Sequence, residues 1–283
     1  MNPTAKKFWL VSASILLLAT LAYFYSLYTT YYPSTDDAYI QADVVNVAAQ
    51  VTGRVDHIYV ADHQFVKKGQ LLFSIDPNPF EIALRQAQST VEQIQAQTDT
   101  QAKDTARILP LVTRGALPKS AGDDAQGQLD QLRAALKVAE AQLATAQINL
   151  LYTQIYAPND GYITNFILRQ GQVIQATTPQ FALVENKEWW INANFKETDL
   201  GRIKSGQSAK ISIDIYPGIT FKGIVQGVSR GSGAVFSLLP PEDATGNWVK
   251  VTQRFPVRVD FVNPDPKYPL RMGASGTVTV NTH

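Results

Sequence analysis

The chain has 283 residues, 45% of them hydrophobic and 17% charged, and a formal net charge of +1. A balance so near zero gives no whole-chain electrostatic case for nucleic-acid binding. The absence of cysteine excludes disulfides, thiol catalysis and Cys-ligated zinc, and is compatible with an oxidising compartment.

Residues 8–28 carry no charge and are rich in Leu, Ala and aromatics, with Ile15, Leu16, Leu17 and Leu18 at the centre. About 20 such residues span a hydrocarbon core, so a transmembrane helix is expected here. Lys6 and Lys7 precede it and Asp36 and Asp37 follow, which puts residues 1–7 in the cytoplasm. The rival reading is a cleaved signal peptide; against it, the apolar run is long and no Ala-x-Ala site precedes polar sequence.

After Pro33, residues 38–47 alternate loosely and read as a strand. Short Gly-punctuated β segments follow at 51–60 and 66–76, ending at Asp76-Pro77-Asn78-Pro79. Asn78 is expected to cap a helix, with Pro79 at its first position and Glu81 in its first turn.

Two heptad-patterned segments come next. The first carries its seam at Phe80, Leu84, Ala87, Val91, Ile94, Thr98, Gln101, Thr105 and Ile108. The second carries it at Ala125, Leu129, Leu132, Leu136, Ala139, Leu143, Ala146 and Leu150. Both alternate steps of four and three, the period of a coiled coil. Residues 110–118, with a Pro at each end and Gly115 between, are expected to reverse the chain. The expectation is an antiparallel hairpin with arms of roughly 30 residues, about 45 Å each. Pairing within the chain is favoured over a dimerising coiled coil because the return turn is short.

Beyond Ala157-Pro158 the β pattern recurs. Residues 161–168 match 53–60 at an offset of 108, and 181–185 match 72–76 with one extra loop residue. The hairpin therefore sits between two halves of an internally repeated β unit, neither of which can bury its apolar face alone. Strands are then expected at 189–195, 209–215, 221–228, 248–251, 255–261 and 275–280, spaced as in a small antiparallel barrel that the strand at 38–47 joins.

Several stretches resemble the HlyD family of membrane fusion proteins, or periplasmic adaptors, and its EmrA-type branch in particular. They are Thr35-Asp36-Asp37-Ala38-Tyr39-Ile40, Val51-Thr52-Gly53-Arg54-Val55, Val66-Lys67-Lys68-Gly69-Gln70-Leu71-Leu72, Ala157-Pro158-Asn159-Asp160-Gly161, Asn194-Phe195-Lys196-Glu197-Thr198 and the run from Ala234 to Trp248. The resemblance implies a mainly β fold with α: a transmembrane helix, a split lipoyl-like β-sandwich with an inserted antiparallel α-helical hairpin, and an antiparallel β-barrel. Laid on this chain, residues 1–7 are a cytoplasmic tail, 8–28 the membrane helix, and 29–47 a linker and first barrel strand. Residues 48–78 are the first lipoyl-like half, 79–156 the hairpin, 157–187 the second half and 188–283 the barrel.

By the same resemblance the protein is a periplasmic adaptor of a tripartite efflux pump, held in the inner membrane with its bulk in the periplasm. It forms a trimer or hexamer and links an inner-membrane transporter of the major-facilitator type to a TolC-like outer-membrane channel. The cargo class is drugs or small hydrophobic or aromatic compounds. In the wider family the hairpin tip can carry an Arg, a Leu four residues later and a Ser seven after that. Arg107 and Leu111 fit, but position 118 is Pro and the nearest serine is Ser120. Arg107, Leu111, Arg114 and Ser120 are thus the candidate channel-docking residues. Phe236, Leu238, Leu239 and Trp248, beside Pro240-Pro241, are a candidate transporter-contacting or pore-side segment, the alternative being that they pack on the barrel. Two other functions stay open: a type I secretion adaptor working with an ATP-driven exporter, and a monomeric periplasmic small-molecule binding protein.

Nothing in the residues points to an enzyme, cofactor or metal. Asp36 and Asp37 are neighbours on an extended segment, so they point to opposite faces and cannot flank one atom. His57 and His63 have no third ligand at motif spacing. The glycines of residues 227–233 do not match a phosphate-binding loop. Lys67 and Lys68 lie inside one half rather than at the junction that carrier domains modify.

Overall fold

The computed structural model describes residues 16–21, 23, 30–233 and 252–283. The expected membrane span at 8–28 lies mostly outside them. Residues 16–21 are helical and exposed, and among the described residues no helix is long and apolar enough to cross a membrane. The chain divides into two compact units, residues 1–43 with 185–283, and residues 44–184.

The first unit is a barrel. Its strands run in the order β1-β12-β9-β10-β11-β8, and β1 returns to pair with β8. Here β1 is Ser34–Ala48, β8 Pro179–Lys196, β9 Ser208–Ile213, β10 Thr220–Val228, β11 Arg254–Phe261 and β12 Ser275–Val280. A strict two-residue period builds the core: Ala209, Ile211 and Ile213 of β9 are buried while Ser208, Lys210 and Ser212 are exposed. Phe195, Ile191, Val225, Val257, Val259, Val278 and Ile40 complete the interior. Closing the sheet removes the open edges that would otherwise invite association. A short helix, α3 (Glu197–Leu200), follows β8.

Where β1 meets β8, its pairing with β12 shifts register between Thr35 and Ala38. That irregularity frees Thr35 and Asp37 to bond across the seam. Thr35 Oγ1 donates to the Asn194 carbonyl at 2.9 Å, and Asn194 Nδ2 donates to Asp37 Oδ1 at 3.1 Å. Arg254 donates to Thr35 Oγ1 at 3.3 Å and lies 3.5 Å from Asp37 Oδ2. Asp36 is exposed.

The second unit contains the repeat, which shows as a reciprocal exchange. A four-stranded sheet runs β5-β4-β2-β7, with β2 Gly53–Ile58, β4 Leu71–Ile75, β5 Gln154–Tyr156 and β7 Val173–Ile174. Gly53 pairs with Ile174 and Arg54 with Val173. Shifted by 108 and swapped, the same pairs recur as Gly161 with Val66 and Tyr162 with Phe65, joining β6 (Gly161–Thr164) to β3 (Phe65–Val66). The bond from Val55 N–H to the Gln172 carbonyl, 2.8 Å, has its counterpart from Ile163 to Gln64, 3.0 Å. Core residues obey the same offset: Val47 and Ile155, Ala49 and Ala157, Val55 and Ile163, Val66 and Ile174 are all buried. Each half lends its strand to the other's sheet, so neither has a finished core alone.

Three details differ from expectation. Residues 154–156, assigned to the hairpin, form β5, because their backbone pairs with β4 after the helix stops at Leu151. Asn78 is not a side-chain cap: the N-cap is Pro77, and Asp76 Oδ1 accepts from both the Asn78 backbone and side-chain amides, at 3.1 and 2.8 Å. Pro110 does not end the first arm. The helix runs through it to Thr113, although its nitrogen can donate no bond and its ring crowds the preceding turn.

Candidate functional site

The hairpin is the part of the chain built to project. Helix α1 is Asn78–Thr113 and α2 is Lys119–Leu151. Every seam position expected from the heptads is buried or half-buried, and Thr98, Thr105, Ala125, Leu129 and Ala139 are the most enclosed. The seam is small and mixed rather than leucine-rich, so polar groups in it must be satisfied across it. Thr105 Oγ1 donates to the Ala125 carbonyl at 3.1 Å and Gln101 Nε2 to the same oxygen at 3.4 Å. Thr98 bonds back to the Ile94 carbonyl at 2.8 Å. These cross-arm bonds fix the register of one arm on the other.

The tip is a Schellman turn. Arg114 is the C-cap and Gly115, at φ 73°, the left-handed residue after it. Gly115 N–H donates to Val112 at 3.0 Å and Ala116 N–H to Leu111 at 2.9 Å, satisfying carbonyls that the helix end would leave bare. Pro118, extended at ψ 150°, starts α2. The arms come close just below the turn, where Gly122 is buried against Val112 and Leu109. A Cβ there would sit 3.4 Å from Val112 Cγ2.

Arg107, Leu111 and Arg114 lie at i, i+4 and i+7, one stripe of α1 beside the seam. Arg107 is exposed and pairs with Asp104 at 3.1 Å on its own helix. Leu111 is 42% exposed, a large apolar group left in water by a turn that does not cover it. Ser120 stands exposed in the first turn of α2 at the same end of the hairpin. Two further residues escaped the sequence reading: Leu109 and Leu117 are also exposed, at 43 and 36%. Their signal was present, since neither occupies a seam position. The second candidate set, Phe236, Leu238, Leu239 and Trp248, lies outside the described residues.

At its base the hairpin is tied to the sandwich. Arg54 Nη2 reaches Asp76 Oδ2 at 3.1 Å, and Asp76 N–H donates to the Arg54 carbonyl at 2.9 Å. The Asn78 backbone N–H, foremost, and the Arg54 guanidinium hold the Asp76 carboxyl below the usual carboxylate range, against a partial desolvation that works the other way. Ile75 N–H donates to the Thr153 carbonyl at 2.8 Å, so the two ends of the insert are hydrogen-bonded neighbours. Among the described residues no group of three His, Cys, Asp or Glu side chains could hold a metal. His57 and His63 each sit beside the preceding aspartate, at 2.9 and 3.5 Å.

Comparison with known proteins shows the family and the fold. The family described as the RND MFP barrel-sandwich hybrid domain matches residues 43–186. The multidrug export protein EmrA of Escherichia coli K12 is 31% identical over 307 residues, covering 92% of this chain and 79% of that protein. A solved structure of the periplasmic adaptor protein EmrA aligns at 19% identity and TM-score 0.51, over 89% of this chain and 99% of that one. The membrane fusion protein Spr0693 of Streptococcus pneumoniae R6 aligns at 17% identity and TM-score 0.67, over 88 and 97%. The last two show likeness of fold.

Proposed function

Since this chain belongs to the HlyD-family membrane fusion proteins, in their EmrA-like branch, we propose that it is the adaptor subunit of a tripartite drug-efflux pump. In this reading residues 8–28 anchor it in the inner membrane and the rest stands in the periplasm. The barrel seats on a transporter of the major-facilitator type, and the repeated halves, a split lipoyl-like sandwich, pack side by side in a trimer or hexamer. The hairpins extend the conduit toward a TolC-like channel, docking through Arg107, Leu111, Arg114 and Ser120. Residues 236–248 supply the transporter or pore-side contact. The cargo is drugs or small hydrophobic or aromatic compounds. The adaptor itself catalyses nothing, and the energy comes from the transporter.

The observation that carries this reading is the hairpin's placement. A 36-residue helix at 1.5 Å per residue is about 54 Å long. Its far end presents exposed leucines and two arginines rather than a closed polar turn. A binding protein has no use for such a projection. The test is to purify the full chain from crosslinked membranes. A homo-oligomer carrying a transporter and an outer-membrane channel supports the adaptor, whereas a lone monomer that takes up ligand stoichiometrically overturns it.

A further inference from the structure

One feature of the barrel's outer face is unexplained by its packing. Lys210 of β9 lies directly opposite Lys222 of β10 in the ladder, and both are exposed. Like charges in that relation weaken the strand pair. Among the described residues neither lysine has an ion-pair partner; the unit's ion pairs join Asp37, Asp199 and Asp260 to Arg254, Arg202 and Arg258 instead. Both lysines line a cleft of about 670 Å³.

Its composition is graded across the strands. Thr279 of β12 pairs with Lys210, and the Val262 N–H bonds to the Lys222 carbonyl at 2.9 Å. The row therefore reads hydroxyl, ammonium, ammonium, valine. In the next row Asn281 bonds to Ser208, and Ser208 faces Ile224. Hydroxyls and cations suit a phosphate, and the exposed Ile224 and Val262 beside them suit hydrocarbon. Tyr32 also lines the cleft, and the chain reaches it directly from the apolar segment that precedes β1.

We propose that this cleft binds the phosphate headgroup of an anionic phospholipid in the membrane that residues 8–28 enter, with Lys210 and Lys222 as the phosphate ligands. It rests on the membrane-anchored reading given above. The lipid holds the barrel against the bilayer surface, and the unfavourable lysine pair is relieved when the phosphate sits between the two charges.

The experiment uses the full chain in an uncharged detergent with equal phosphatidylglycerol and phosphatidylcholine, retained lipid being counted by native mass spectrometry. Wild type is expected to retain phosphatidylglycerol in preference to phosphatidylcholine. Replacement of both lysines by threonine, which fits an exposed strand, should weaken that retention about thirty-fold, and each single replacement about five-fold. The thermal midpoint of the double variant should be unchanged or higher. Equal retention by wild type and double variant overturns the proposal, as does equal retention of the two lipids by wild type. Displacement of the lipid by millimolar inorganic phosphate overturns it in favour of a small-anion site. Alkaline carbonate extraction keeps the two readings apart. Release of the chain defeats the anchor and with it the membrane source of the lipid, while lysine-independent binding in a chain that stays in the membrane defeats the headgroup site alone.

Discussion

Asn194 hands a side-chain hydrogen bond to Asp37 at 3.1 Å across 157 residues of sequence. The two belong to stretches that look unrelated in the chain, one just after the apolar segment and one at the end of β8. Together with Thr35 and Arg254 they hold the barrel shut at the place where the β1 ladder is irregular.

Asn194→Ala is therefore expected to lower barrel stability by about 1–2 kcal/mol, since it removes a hydrogen bond to a half-buried carboxylate that keeps its ion pair with Arg254. Asp37→Ala should cost a similar amount, and the double variant less than the sum because both remove the same contact. Chemical denaturation of the four proteins checks this. Strict additivity would mean that the bond contributes nothing.

At the hairpin tip, Gly122→Ala should be neutral or stabilising by up to about 1 kcal/mol, because alanine is the better helix former. Its Cβ would meet Val112 Cγ2 at an ordinary contact distance of 3.4 Å. Gly122→Leu should instead push the arms apart. Disulfide trapping between cysteines placed one turn below the contact, one in each arm, checks this with glycine, alanine or leucine at 122; the leucine protein should crosslink more slowly than the other two.

Gly171 and His63 occupy equivalent places in the two halves, and both have positive φ, 82° and 62°. Equivalent bonds follow: Gly171 N–H to Val55, 2.8 Å, and His63 N–H to Ile163, 3.0 Å. The repeat tolerates a side chain at one site, at a conformational cost of about 1 kcal/mol. His63→Gly is expected to raise the thermal midpoint slightly and Gly171→Ala to lower it. A midpoint that moved the same way in both would argue against this account.

The base of the hairpin should respond to acid. The Asp76 carboxyl titrates below the usual carboxylate range in the folded chain, so its contribution is present above that range and is lost as pH falls through the folded value. Asp76→Asn should be less stable than wild type near neutral pH, and the gap should shrink in strong acid. Thermal midpoints measured for both proteins down the acid range provide the check.

Changing the exposed tip residues tests docking without disturbing the fold. Alanine at Arg107, Leu111 and Ser120 together should leave the thermal midpoint nearly unchanged, as is usual for exposed positions. Efflux and crosslinking to the outer channel should fall. Unchanged efflux and crosslinking would remove the tip from the docking surface.

The hairpin was the most legible part of the sequence because a heptad fixes which face is covered wherever it is sustained. All the seam residues from Phe80 to Ile108 and from Ala125 to Leu150 are on the covered face. Pro110 misled because a proline disfavours a helix interior without forbidding it, and the helix continues past it to Thr113. The repeat was visible where apolar residues recur, at Val55 and Ile163 for instance. The exchange of β3 and β7 between halves was not, since strands of two residues carry no period. The Asp37–Asn194 bond lay beyond reach because it depends on a register shift that the residues of β1 do not announce.

Ile75 and Thr153 are separated by the whole insert yet joined by one 2.8 Å hydrogen bond. To the rest of the second unit, the hairpin is therefore a loop that is already closed, whatever it contains. Adding or deleting a heptad in both arms at once would keep that junction, the seam and the tip turn intact. Reach is thereby uncoupled from stability. One core could serve cell envelopes of different depth with only the paired helices rewritten.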